Sequence, residues 1–125
     1  MNHQNSKYWI GFDLGGTKML AVLFNSALQP LNRQRRKTKS HLGVQAGVDR
    51  ITDSIEQVLE EAGITKHQLA GIGMGCPGLL DLNKGILLEA SNLGWKNAPL
   101  KDTLQSVSYT HLRAHETEAA RVCRL

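Results

Sequence analysis

One stretch of six residues, DLGGTK at positions 13–18, combines a carboxylate, paired glycines, a hydroxyl and an amine. Paired glycines allow a tight turn whose backbone N–H groups point into open space, which suits phosphate oxygens. Thr17 adds a hydroxyl donor and Lys18 a positive charge, although alternation along a strand can point the lysine away. Beside a polyphosphate, Asp13 can hold Mg²⁺ directly or through water. The alternative is an ordinary hairpin turn with a solvated aspartate and lysine, and the six residues alone leave both open.

The order of the residues distinguishes this stretch from a P-loop. Gly11–Lys18 has the pattern G-x-x-x-x-G-T-K, whereas a P-loop has its lysine before the Ser or Thr and a helix directly afterwards. Here the apolar run Met19–Phe24 follows, which predicts a strand. We therefore interpret residues 13–18 as a turn between two strands.

A second glycine-rich stretch, Gly73–Gly78, matches the dinucleotide pattern G-x-G-x-x-G. That pattern needs a helix opening inside it, but Pro77 interrupts it and a polar hairpin follows, so we interpret the match as accidental. A strand ending in a loop of small residues, with a ligand against the backbone, fits better. Because no histidine lies nearby in the sequence, we interpret Cys76 as a small buried residue rather than a nucleophile.

Two residues further along have side chains that suit a sugar. Asn92 can supply polar contacts and Trp95 a stacking surface, although a tryptophan in a short loop is as often a packing anchor. The five histidines form no cluster with metal-ligand spacing, so we assign them no role.

Composition narrows the class of protein. The chain has 125 residues, 41% of them hydrophobic, and its longest apolar run is six residues, against about 20 for a membrane-spanning helix. The two cysteines suit neither a disulfide scaffold nor a zinc site, so we expect a reducing cytoplasm and no membrane partner. Net charge is +4, with a basic cluster at 33–39. We interpret that cluster as a solvated strand edge or hairpin rather than a nucleic-acid patch, because no recognition motif or interleaved aromatic residue accompanies it.

The elements that must position these residues follow from periodicity and turn residues. Apolar residues recur every three or four positions from Val44 to Ala62, which predicts a helix, and Gly63 suits a left-handed cap. The short links between the first three predicted strands favour antiparallel pairing. Pro99 suits the first turn of a second helix, which we expect to reach about Leu104. The predicted strands and hairpin are Tyr8–Leu14, Met19–Phe24, Leu31–Thr38, Leu69–Cys76 and the hairpin Leu79–Ser91.

Three segments together resemble the ROK (repressor, open reading frame, kinase) family of sugar kinases, within the actin/hexokinase-like ATPase superfamily. They are GFDLGGTKMLAVLF at 11–24, GIGMGCPGLLDLNKGIL at 71–87 and SNLGWKNAPL at 91–100. The first segment is shared across much of the superfamily, whereas the three in this order are most similar to bacterial glucokinases. The resemblance covers about residues 8–104.

The resemblance implies an RNase H-like α/β domain, present here as an incomplete N-terminal domain: three antiparallel strands, a helix and a further strand. It implies transfer of the ATP γ-phosphoryl group to a hexose 6-hydroxyl with Mg²⁺. The hexose that the resemblance favours is glucose, which would become glucose 6-phosphate. The residues that match the phosphate and metal motif are Asp13, Gly15, Gly16, Thr17 and Lys18, with Asp13 as the metal ligand. Those that match the sugar-facing segments are Pro77, Gly78 and Asn92, with Trp95 in the same segment as Asn92.

Other parts of the family pattern have no counterpart in this sequence. The Asn-Asp pair whose aspartate acts as the base is absent, as are the later Glu and His sugar ligands, the Cys-rich zinc loop and the adenosine motif. We therefore expect the 125-residue chain to be inactive alone. We divide it into an ATPase-like part, 1–104, and an unrelated tail, 105–125, either artefactual or disordered. Within that tail, YTHLRAHET at 109–117 resembles translated sequencing-adapter sequence.

Two other functions are compatible with the resemblance. Sugar-responsive repressors of the family carry a helix-turn-helix before the kinase-like domain, and only about seven residues precede the first predicted strand here. A non-catalytic binding module of the actin-like superfamily is the second, and the CPG and NLGW segments argue against it. The resemblance also implies that full-length members often form homo-oligomers.

Overall fold

The computed structural model describes residues 7–107, together with the backbone of two strands at 113–116 and 121–124. Two α-helices and nine strands make up the described part. The helices are α1 (Val44–Ala62) and α2 (Leu100–Ser106), with single 3-10 turns at Ser40–Leu42 and Lys66–Gln68. The strands, in chain order, are β1 (Tyr8–Leu14), β2 (Lys18–Phe24), β3 (Pro30–Lys37), β4 (Leu69–Gly75), β5 (Leu79–Asp81), β6 (Ile86–Ala90), β7 (Trp95–Ala98), β8 (Arg113–Glu116) and β9 (Arg121–Arg124).

The main sheet has six strands in the order β3-β2-β1-β4-β9-β8. The first three strands form an antiparallel meander, and β4 returns after α1 to pair with β1 in parallel. This confirms the predicted α/β arrangement of three antiparallel strands, a helix and a further strand. β3 lies at the edge of the sheet, and Arg33, Arg35 and Lys37 are exposed on it, which confirms the solvated strand edge.

Helix α1 covers one face of this sheet and has the predicted bounds. Its buried positions follow the helical period, and its seven buried residues include Ile51, Ile55 and Val58, each 0% exposed. Gly63 ends the helix at φ 69° and donates its N–H to the carbonyls of Glu60 and Leu59, as a left-handed cap does.

A second, three-stranded sheet, in the order β5-β6-β7, contacts helices α1 and α2. β5 and β6 form the predicted hairpin, and β7 is an additional strand that the sequence did not indicate. Helix α2 begins one residue after the predicted Pro99 and continues to Ser106. The next residue, Val107, is buried.

The predicted tail, 105–125, lies partly outside the described residues, and its independence from the preceding chain stays a prediction. Within it, β9 pairs with both β4 and β8 in antiparallel fashion. In the part of the chain that the structure describes, neither helix has the length and apolar character needed to cross a membrane.

Candidate functional site

The turn between β1 and β2 is closed and held in place by backbone bonds. Gly15 donates its N–H to the Lys18 carbonyl at 3.0 Å. Thr38, which is fully buried, donates its N–H to the Thr17 carbonyl and its hydroxyl to the Gly15 carbonyl, each at 2.8 Å. A Cβ atom on Gly15 would lie 2.7 Å from the Lys18 carbonyl oxygen, so glycine is required there. The turn is a fixed part of the fold, and Thr38 is a support that the sequence did not indicate.

Asp13 lies at the carboxyl end of β1, with its side chain exposed. Its parallel neighbour on β4 is Gly75, where an added Cβ atom would meet nothing within 4 Å. The carboxyl ends of adjacent parallel strands form the usual ligand crevice of α/β sheets. The carboxylate therefore lies beside open space at the carboxyl ends of the strands, where a ligand is expected.

The loop after β4 is fixed against the second sheet through Gly78. This residue has φ 99°, and a Cβ atom on it would lie 2.3 Å from the Glu89 carbonyl oxygen. Pro77 and Cys76 are half-buried, and Cys76 packs against the hydrophobic core. No helix opens here, because β5 follows at once, so the dinucleotide pattern is accidental as predicted.

Asn92 joins the two predicted parts of the site. A Cβ atom on Gly16 would lie 3.2 Å from the Asn92 Nδ2 atom and 3.5 Å from its carbonyl oxygen. The Asn92 side chain is exposed and makes no hydrogen bond among the described residues. Its amide is therefore available to a ligand, directly next to the glycine turn.

Trp95 is a packing anchor and has no surface for stacking. It is 1% exposed, and a Cβ atom on Gly47 of α1 would lie 2.1 Å from the Trp95 ring. Its indole N–H donates to the Ser40 carbonyl at 3.1 Å. This contact ties β7 to the start of α1 and so holds Asn92, three residues earlier, against the turn.

An open pocket of about 260 Å³ adjoins the turn, and Thr17 contributes to it. Its lining residues are Gly16, Thr17, Lys37, Lys39, Ser40 and His41. A larger hollow, about 350 Å³, lies at the far end of α1 and contains none of the predicted site residues. We place the candidate site at the turn, because Asp13 lies on the strand that leads into it and Asn92 contacts Gly16 within it. Lys18 is exposed at the start of β2 and does not line the pocket.

The residues at the turn fit a magnesium ion that takes most of its ligands from phosphates and water. Among the described residues, His, Cys, Asp and Glu side chains form no group of three or more that could hold a metal ion. Mg²⁺ often binds through one or two carboxylates and takes its other ligands from phosphates and water. A single exposed carboxylate beside an open, glycine-lined space meets that requirement.

Solved structures that are similar to this chain define its fold class. The fold is the α/β, actin-like ATPase fold of sugar kinases, here over part of its length. A structure of a ROK family glucokinase from Streptomyces griseus, in complex with glucose and AMPPNP, superposes with a TM-score of 0.66 at 27% identity. The match covers 79% of this chain and 30% of that one.

The family follows from the sequence match. The ROK family profile matches residues 9–119, so the chain belongs to the ROK family. A glucokinase from Halalkalibacterium halodurans is 29% identical over 101 residues, covering 81% of this chain and 31% of that protein. A xylose repressor from Caldicellulosiruptor bescii is 30% identical over 96 residues, covering 77% of this chain and 24% of that protein. The chain therefore spans less than a third of the length of these relatives.

Proposed function

We propose that this chain carries the phosphate-binding and part of the sugar-binding machinery of an ATP-dependent hexose kinase, with glucose as the hexose. The observation that carries the proposal is the contact of Asn92 with Gly16, in the turn that directly follows Asp13 and Leu14. The S. griseus glucokinase, whose structure contains glucose and AMPPNP, supports the choice of both substrates. An ATP-dependent reaction also supports a cytoplasmic location, and we propose homo-oligomers for the full-length protein.

The donor side of the proposed site consists of the turn and the carboxylate before it. The backbone N–H of Gly16 and the Thr17 hydroxyl are suited to phosphate oxygens, with Lys18 adding positive charge nearby. The Gly15 N–H already donates within the turn, so Gly16 and Thr17 are the donors that remain for a ligand. Asp13 would hold Mg²⁺, which when bound neutralises charge on the phosphates. Phosphoryl transfer of this kind depends mainly on positioning and charge neutralisation.

The acceptor side consists of the loop after β4 and the segment before β7. Gly78 and Pro77 form a rigid border, because the Glu89 carbonyl leaves no room for a side chain at position 78. Asn92 supplies an amide that can bond a sugar hydroxyl while it contacts Gly16. Since Asn92 contacts the turn and is assigned to the sugar, the two substrates would meet at the turn.

We propose that the chain alone binds ligands but does not turn over. In the family, the base that takes the sugar hydroxyl proton is the aspartate of an Asn-Asp pair, and no such pair occurs in the 125 residues. Asp13 precedes the phosphate turn and is assigned to the metal. Purified chain with glucose, ATP and Mg²⁺ should form no glucose 6-phosphate above background in a coupled assay.

The test of the proposal is Mg·ATP binding to the intact chain, measured by calorimetry. Asp13→Asn should raise the dissociation constant about tenfold, because it removes the charge that holds the metal. The matched control is Asp53→Asn, an exposed aspartate in the middle of α1, which should leave the constant unchanged. Equal constants for the Asp13 variant and the parent would overturn the donor-site assignment.

The xylose repressor match supports a second candidate, a sugar-responsive regulator that senses a sugar without phosphorylating it. The two candidates differ in the donor. A regulator of this kind would bind the sugar with no contribution from Mg·ATP, whereas a kinase part would bind Mg·ATP through Asp13. Titration of glucose and xylose, each with and without Mg·ATP, separates them.

A further inference from the structure

The pocket beside the turn is lined by two lysines and a histidine that neither the turn motif nor the sugar segments include. Lys37 ends β3, and Lys39 and His41 follow it, while Gly16 and Thr17 also line the pocket. At about 260 Å³ the pocket has room for a phosphate group with its hydration. Gly16 and Thr17, which line this pocket, are also the two residues that remain as donors for a ligand at the turn.

The positive charges at this corner are not neutralised by the protein. Lys37 is paired directly opposite Lys18 in the β2–β3 register, and like charges in that position repel. Arg50 donates its Nε–H to the Lys37 carbonyl at 2.9 Å, which brings a further cation close. Among the residues that the structure describes, Lys18, Lys37, Lys39 and His41 make no ion pair with a carboxylate. An anion is the ligand that such a corner is built to accept.

Lys39 also adopts a backbone conformation that its residue type disfavours. Its φ and ψ are 50° and 49°, in the left-handed region, and its side chain makes no cap hydrogen bond to the following 3-10 turn. Asparagine or glycine would adopt this conformation at lower cost. The lysine is therefore not explained by the local fold, and its charge on the pocket wall is what distinguishes it.

We propose that Lys37, Lys39 and His41, with the backbone of Gly16 and Thr17, form an anion subsite for a phosphate group. The chemistry is that of a phosphate dianion, which two sources can supply: the phosphate chain of a nucleotide or a separate phosphate. The inference deepens the proposed function and rests on it for the nucleotide source, whereas binding of free phosphate stands independently of Asp13.

The experiment titrates inorganic phosphate, without Mg²⁺, into the intact ¹⁵N-labelled chain. The amide resonances of Gly16 and Thr17 should shift in the parent. The double variant Lys37→Gln/Lys39→Asn should raise the phosphate dissociation constant about tenfold, because two exposed opposite-charge contacts are lost. Asparagine is used at position 39 because it tolerates the left-handed backbone. Added salt should weaken binding to the parent, since exposed charges are screened.

The control variant is Lys84→Gln/Lys96→Gln, which makes the same change in net charge at exposed lysines of the second sheet. It should leave the dissociation constant within about twofold of the parent, because neither lysine lines the pocket and exposed charges outside it are screened. An equal loss in both double variants, or resonances of Gly16 and Thr17 that do not shift, would overturn the proposal. Thermal unfolding of each variant checks that the fold is retained.

A second titration, with Mg·ATP, identifies the source. If the lysine double variant also weakens Mg·ATP, the subsite takes the phosphate chain of the nucleotide. If the variant weakens the binding of inorganic phosphate only, the subsite takes a separate phosphate, and the assignment of the subsite is retained. Failure of the donor-site proposal appears differently, as an Asp13→Asn variant that binds Mg·ATP like the parent.

Discussion

The two faces of the main sheet differ sharply in what they carry. On β1, β2 and β4 the face under α1 is apolar, and its central residues are at most 3% exposed: Ile10, Phe12, Leu14, Met19, Ala21, Leu23, Ile72 and Met74. Along the same strands, every second residue lies on the opposite face. On β1 and β4 that face carries Trp9, Gly11, Asp13, Gly71, Gly73 and Gly75.

The difference assigns separate tasks to the two faces. Burial of apolar side chains stabilises the fold on the α1 side, at roughly 25 cal/mol per Å² of apolar surface removed from water. On the other side, the space that side chains would fill is left open at Gly75, next to Asp13. Residues that hold the fold and residues that face a ligand therefore alternate within one strand.

The two tryptophans give the largest test of this comparison. Trp95 is 1% exposed and anchors the second sheet to α1, whereas Trp9 is 36% exposed and lies across Gly71 on the opposite face. Trp95→Ala should lower the free energy of unfolding by about 3–5 kcal/mol, as for other buried aromatic residues. Trp9→Ala should cost less than half as much, in urea unfolding of both variants followed by circular dichroism.

Equal losses for the two variants would contradict the assignment of separate tasks. They would mean that the face bearing Trp9 contributes to the core as much as the α1 side. Because Trp95 also holds Asn92 near the turn, its variant should weaken ligand binding as well, whereas the Trp9 variant should not.

A smaller effect is expected at Thr38, which connects β3 to the turn. Thr38→Val keeps the shape of the side chain but removes the hydroxyl that donates to the Gly15 carbonyl. This hydrogen bond is part-buried, so urea unfolding should show the loss of a typical intramolecular bond, about 1 kcal/mol. Thr52→Val, at a half-buried helix position without a described hydrogen bond, is the control and should stay within about 0.5 kcal/mol. No difference between the two would remove Thr38 as a support of the turn.

The smallest expected effect is the pH dependence contributed by Glu61 on the α1 side. Hydrogen bonds from Asn32, Gln57 and Gln34 lower the pKa of this exposed carboxyl. Because the pKa is lower in the folded state, the stabilisation is present above the unfolded pKa and is lost as the pH falls through the folded one. Unfolding free energies measured from neutral pH down to about pH 3 should therefore fall less steeply in Glu61→Gln than in the parent.

The variant Asn32→Ser/Gln34→Ser provides the complementary check on Glu61. It keeps the carboxylate but removes two of its donors, so part of the same acid-dependent loss should disappear. Identical acid profiles in the parent and in Glu61→Gln would show that the hydrogen bonds to Glu61 do not contribute to stability.

The elements that sequence alone predicted are those whose pattern is local. Helix α1 matched in both bounds, because its apolar period is regular and Gly63 ends it. Strand β7 was missed, because its four residues, WKNA, are too short for a period, and Asn97 has φ 54°. Its strand conformation depends on pairing with β6, which no local pattern records.

The candidate site was predictable to the extent that its residues are neighbours in sequence. Asp13 and the turn are contiguous, and Asn92 was indicated by its polar side chain and by the resemblance to the family. Thr38 and the pocket lysines Lys37 and Lys39 lie about twenty residues from the turn and meet it only through the β2–β3 register. Interpreting the basic cluster as a solvated edge was correct for Arg33 and Arg35, but by itself it gave no reason to connect the cluster with the turn.

The position of β3 at the sheet edge has a consequence for self-association. An edge strand leaves backbone N–H and C=O groups unpaired, and a second copy can add to it as a further strand. Here every second residue from Arg33 to Lys37 is an exposed cation. Two such edges brought together would place like charges against one another. The basic residues thus keep the edge from acting as a template for aggregation.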